Sequence, residues 1–199
     1  DYIEPDIVLT KDLVPIILHD THLDTTTNVA ILFPHMKRED GHYYAIDFTL
    51  KEIKSLNANH RIDLKTKKSA FDTRPLLINS PHMVPTLEEL ISTVIKQNKR
   101  LNKSVGIYLE LKEPAFHSSM NTNITKITHD ILIRYKQDLK IIIQCFDDKP
   151  LRYLKKIKSP FKRVQLIADN SWRISSLDYS KMLTKKGMKV INTYAHGIG

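Results

Sequence analysis

Glu4 and Asp6 stand two residues apart, and so do Glu110 and Lys112. In an extended strand that spacing turns both side chains to one face. His19 and Asp20 close a short apolar run, and Gln144 and Phe146 close another. These polar strand ends can converge on one spot. The carboxylates Glu4, Asp6 and Glu110 would then offer an oxygen-rich site to a hard divalent cation such as Ca²⁺ or Mg²⁺. No Cys/His spacing suggests zinc, and with only 5 glycines the chain has no glycine-rich phosphate loop. Taken singly, each residue has an ordinary reading. A carboxylate near a strand end is usually solvated or caps the next helix, a lone histidine is usually structural, and a lone lysine usually faces water. The functional reading comes from repetition: the same strand position is polar on strand after strand.

The elements that must position these residues follow from the apolar pattern. Strand-sized runs rich in Ile, Val, Leu or Tyr are expected at residues 1–6, 14–18, 105–111, 140–146, 164–168 and 189–194. Helices fall between them. Thr49 with Glu52, and Thr86 with Glu89, have the spacing of capping boxes. Residues 124–136 are amphipathic, with Ile127, Ile131, Leu132 and Tyr135 on one side. Asp147 or Asp148 is expected to cap a helix over 150–158, with Pro150 near its start. A helix over 179–186 is expected to end at Gly187. From Val105 onward strand and helix alternate, which implies a parallel sheet with right-handed crossovers. In such folds chemistry gathers at the carboxyl ends of the strands. Residues from about 20 to 85 are less regular and carry Pro34, Gly41, Pro75, Pro81 and Pro85; they read as an insertion.

Composition sets wider limits. The 199 residues, 41% hydrophobic and 27% charged, suffice for one sizeable domain and argue against a disordered chain. No apolar run approaches the roughly 20 residues of a spanning helix. The formal charge of +9 invites a nucleic-acid reading. However, the lysines are scattered over the polar faces of expected helices, with no dense basic arm, so no nucleic-acid partner is expected. The single cysteine, Cys145, precludes an internal disulfide and suits either a reducing or an exported setting.

The order of these motifs resembles the glycerophosphodiester phosphodiesterases, most of all the periplasmic bacterial type. The resemblance runs through Tyr2-Ile3-Glu4-Pro5-Asp6, then Leu9 to Asp12, then Pro15 to Asp20. It continues through Leu23-Asp24, Thr26 to Ala30, Phe33-Pro34 and Asp40 to Leu56. Ile107 to Lys112, Gln144 to Asp147 and Val164 to Ile167 complete it. It implies a TIM-type (β/α)₈ barrel with an insertion after the third barrel strand. The chain is then one incomplete barrel domain over 1–199, lacking the first and last strands and expected to be inactive alone.

The implied reaction is metal-dependent hydrolysis of small glycerophosphodiesters to an alcohol and sn-glycerol 3-phosphate, through attack by the neighbouring glycerol hydroxyl. The resemblance matches Glu4, Asp6 and Glu110 to metal ligands, with Ca²⁺ preferred over Mg²⁺. It matches His19 to one of two catalytic histidines and Lys112 to a phosphate-facing lysine. Gln144, Phe116 and Trp172 are candidate substrate contacts. Export to the periplasm is implied by the subfamily. Thr25, His196 and Ala115 depart from the family pattern and bear on substrate preference. A lysophospholipid-acting relative of phospholipase D toxins and a non-catalytic basic barrel protein are the competing readings. Oligomeric state is left open.

Overall fold

The computed structural model describes residues 1–66, 68–71, 73 and 82–199. Pro75 and Pro81 lie outside the described residues. The chain divides into two compact units, one of Asp1–Ile7 with Leu87–Gly199 and one of Val8–Thr86.

The first unit is a parallel α/β sheet. Its strands begin with β1 (Tyr2–Ile3) and β2 (Asp6–Leu9), the latter passing into the second unit with β3 (Pro15–Ile17) beside it. Both β1 and β2 pair with β4 (Gly106–Leu111) in one unbroken register: Tyr2 opposes Gly106, and Asp6 opposes Glu110. The expected strand over 1–6 is therefore interrupted at Glu4–Pro5. Proline has no N–H for the ladder, and pairing resumes at Asp6. The strand then runs on through Ile7, Val8 and Leu9, all fully buried. Asp6 consequently lies within the paired region rather than at a strand's carboxyl end.

Beyond β4 the order continues through β5 (Ile141–Cys145), β6 (Lys162–Gln165) and β7 (Gly197–Ile198), all parallel. Side chains alternate across the sheet as the pleat requires. One face of β4 and β5 carries Ile107, Leu109, Leu111, Ile141, Ile143 and Cys145, all buried. The opposite face carries Tyr108, Glu110, Ile142 and Gln144.

Helices follow the strands. The second unit holds α1 (Val29–Leu32) and α2 (Leu50–Lys54). The first unit holds α3 (Leu87–Leu101), α4 (Pro114–Ser119), α5 (Ile124–Leu132) and α6 (Asp148–Lys156). The capping box at Thr49 is formed: its hydroxyl accepts from the Glu52 N–H, and Glu52 accepts from the Thr49 N–H at 2.7 Å. Asp147 caps α6 through the Lys149 N–H, 2.9 Å away. In α5 the fully covered residues are Ile124, Thr125, Thr128 and Leu132, while Ile127 and Ile131 are only half-buried.

The last stretch corrects the expectation. Of the residues expected as a strand over 189–194, the first three lie in α8 (Lys185–Ile191), which follows the short α7 (Tyr179–Met182), and the other three in the turn after it. Gly187 does not end a helix; it is inside α8, donating its N–H to the N-cap Thr184 hydroxyl at 3.1 Å. A Cβ there would stand 2.2 Å from the Lys181 carbonyl oxygen. The glycine thus permits the close approach of α7 and α8 rather than a stop. The edge role passes to β7, where Gly197 opposes Val164.

The second unit has its own core. Val8, Ile16, Leu18, Leu23, Val29, Tyr43, Phe48, Ile53, Leu56 and Val84 are packed together, with Phe33 and Leu50 against them.

Candidate active site

Register alone puts Asp6, Glu110 and Gln144 in one row across β2, β4 and β5. Partners in a parallel ladder point to the same face, and so do residues two before and two after them. Glu4, Asp6, Glu110, Lys112 and Gln144 accordingly form one cluster in the first unit. The Lys112 ammonium lies 2.8 Å from Glu110 Oε1 and 3.2 Å from Asp6 Oδ1. The Gln144 amide donates to Glu4 Oε1 at 2.5 Å. Glu110 and Gln144 are buried, Asp6 and Lys112 half-buried, and Glu4 exposed. Burial alone would lower the Lys112 pKa. The hydrogen bond to Glu110 and the charges of Glu110 and Asp6 outweigh it and raise the pKa, so the ammonium stays charged.

Three carboxylates against one ammonium leave a formal excess of two negative charges. All of the anionic donors are oxygens. Oxygen donors of this kind suit a hard dication such as Ca²⁺ or Mg²⁺ and include no soft ligand, although among the described residues Glu4, Asp6 and Glu110 do not bring their oxygens within 4.8 Å of one another, the Lys112 ammonium standing between Asp6 and Glu110.

Phe116 lies on α4, half-buried, its ring 5.4 Å from that of His117. Trp172, in a short 3₁₀ turn over Asn170–Trp172, is 67% exposed.

His19 follows β3 in the second unit. Its Nδ1 lies 2.7 Å from Asp20 Oδ1, and the ring is largely exposed. Burial would raise the Asp20 pKa, but hydrogen bonds from His19 and Arg61 drive it well below the usual carboxylate range. An ionised Asp20 can only accept, so His19 Nδ1 carries the hydrogen of this bond. Arg61 and Thr25 hold the other oxygen of Asp20. Sequence reading missed Arg61. It lies 41 residues from Asp20 in irregular chain, so no local spacing marks it.

A second group also went unseen. His22, Asp24 and His42 bring their ligand atoms within 4.8 Å of one another. The expectation of no zinc-type spacing rested on short motifs, and His42 is 18 residues from Asp24.

The sequence profile of the glycerophosphoryl diester phosphodiesterase family matches residues 1–198. The glycerophosphodiester phosphodiesterase of Haemophilus influenzae is 35% identical over 219 residues, covering 100% of this chain and 60% of that protein. The Treponema pallidum enzyme of the same name is 30% identical over 220 residues, covering 100% and 62%. Among solved structures, an Oleispira antarctica phosphodiesterase in complex with the product sn-glycerol-3-phosphate superposes with a TM-score of 0.62 at 18% identity, covering 100% of this chain and 62% of that one. The glycerophosphodiester phosphodiesterase of Thermotoga maritima gives 0.51 at 17% identity, covering 98% and 58%. These structures share the parallel α/β fold described above. The chain thus spans about three-fifths of the length of the relatives it matches, and by a profile that runs nearly end to end it belongs to the glycerophosphoryl diester phosphodiesterase family.

Proposed function

We propose that this protein hydrolyses small glycerophosphodiesters to an alcohol and sn-glycerol 3-phosphate with the aid of a divalent cation, Ca²⁺ in preference to Mg²⁺. The observation that carries the reading is the row of Asp6, Glu110 and Gln144, with Glu4 and Lys112 on the same face. Glu4, Asp6 and Glu110 would hold the cation, which when bound supplies positive charge to the phosphate oxygens. Lys112 adds a fixed ammonium for the same charge. Gln144 holds the Glu4 carboxylate in place. His19, with Nδ1 committed to Asp20, presents Nε2 as a proton acceptor and acts in general acid–base transfer. Phe116 and Trp172 are proposed to contact the glycerol or the head group. On the same reading the protein acts in the periplasm, where a buried, unpaired Cys145 asks for no disulfide.

The test is release of sn-glycerol 3-phosphate from glycerophosphocholine by the intact protein. Turnover is expected to vanish with a chelator, return with Ca²⁺, and fall roughly 10²- to 10⁴-fold in His19→Ala with cation binding retained. Turnover indifferent to both changes would refute the proposal.

A further inference from the structure

His22, Asp24 and His42 form a cluster that the proposed hydrolysis does not use. It sits within the second unit on a short antiparallel pairing. The Leu23 N–H donates to the Tyr43 carbonyl at 2.8 Å, the Ala45 N–H to the Thr21 carbonyl at 2.9 Å, and His22 opposes Tyr44. This pairing stacks the two imidazoles, centroids 4.5 Å apart and planes 26° apart. Both Nδ1 atoms are turned to one carboxylate: His22 Nδ1 lies 3.1 Å from Asp24 Oδ1, and His42 Nδ1 lies 2.7 Å from Asp24 Oδ2. Asp24 is nearly inaccessible, with its side chain 4% exposed, while the two rings reach solvent at their edges. His22 Nδ1 is buried, yet no hydrogen bond of acceptable angle reaches it. A buried ring nitrogen 3.1 Å from a carboxylate without a satisfied hydrogen bond is open to a metal ion. The backbone holds the set in place. The Tyr43 N–H donates to Asp24 Oδ1 at 3.3 Å, and Asp40 accepts from the His42 N–H at 3.0 Å.

We propose that His22, Asp24 and His42 bind a borderline transition dication of the Zn²⁺ class, with solvent as the fourth ligand. Tetrahedral N and O ligands about 2.0–2.1 Å from zinc stand roughly 3.4 Å apart. The ligand atoms here lie at 2.7 Å, at 3.1 Å and within 4.8 Å of one another, so small ring and carboxylate rotations reach that spacing. Two imidazoles and one carboxylate select zinc, cobalt or nickel over calcium and magnesium, which prefer all-oxygen sites. The site is therefore chemically separate from the carboxylate cluster. It joins the ends of the segment from Asp24 to His42, and metal binding would stabilise that segment.

The test uses the intact, metal-stripped protein with Ca²⁺ in excess to occupy the all-oxygen cluster. Titrated Zn²⁺ is expected to bind at one equivalent. Co²⁺ is expected to give visible d–d absorption of four- or five-coordinate intensity. His22→Gln should weaken Zn²⁺ binding at least roughly 10-fold and bleach the cobalt bands. His42→Arg keeps a hydrogen-bond donor to Asp24 while removing a ligand, and far-UV circular dichroism checks its fold. Wild-type protein that takes up no Zn²⁺ under Ca²⁺ overturns the proposal, as does a folded His42→Arg variant that binds it as tightly as wild type.

Discussion

At the scale of single residues, some ionisable groups are well partnered and others are not. Lys112 and Asp20 each have charged partners that outweigh the cost of burial. His117 does not. It is 1% exposed, and neither ring nitrogen has a hydrogen-bond partner among the described residues. Burial lowers its pKa from 6.5 to about 4. The unfolded chain then binds a proton between those values that the folded protein refuses. Stability from this group is complete above pH 6.5, declines as pH falls toward 4, and is level below that. At about 1.4 kcal/mol per pKa unit the loss is on the order of 3 kcal/mol. Urea unfolding of wild type and His117→Phe between pH 7.5 and 4.5 should show a steeper decline for wild type, while parallel profiles would mean that His117 is not buried neutral. The common face of Glu110 and Lys112 was legible at this scale from the two-residue period of a strand, whereas Glu4 and Asp6 are separated by the break at Pro5. Arg61 and His42 were not legible, because their partners lie far away in sequence.

At the scale of elements, the sheet was legible where apolar runs match strand length, and β4 and β5 lie within a residue of their expected bounds. It failed where one residue type serves two purposes. Gly187 reads as a helix stop, yet it is the place where α7 and α8 nearly touch. Val190 and Ile191 read as strand residues, yet within α8 Ile191 is buried and Val190 is 44% exposed. Gly106 shows the same use of glycine at the start of the strand that carries Glu110. A Cβ there would stand 2.5 Å from the Tyr2 ring and 2.6 Å from the Lys140 carbonyl oxygen. Gly106→Ala should therefore cost about 1–3 kcal/mol in urea unfolding and loosen the Gly106 N–H bond to the Asp1 carbonyl. Unchanged stability would contradict the packing of β1 on β4.

At the scale of the whole molecule, no helix of the described residues is long and apolar enough to cross a membrane. The chain carries a formal charge of +9, whereas the cluster of Glu4, Asp6, Glu110 and Lys112 is formally negative. Under the proposed function, a net positive charge would draw anionic diesters in, while the carboxylates would require a cation before a phosphate could settle among them. The account therefore stands or falls on Glu110, which is buried in the centre of the row and within reach of Lys112. The most direct measurement is calorimetric titration of Ca²⁺ into the intact wild-type protein and Glu110→Gln, alongside hydrolysis of glycerophosphocholine. Glutamine keeps the shape and removes the charge. The account predicts that Ca²⁺ affinity and turnover both fall by roughly 10²-fold or more in the variant. A Glu110→Gln protein that binds Ca²⁺ and hydrolyses the diester like wild type would contradict it.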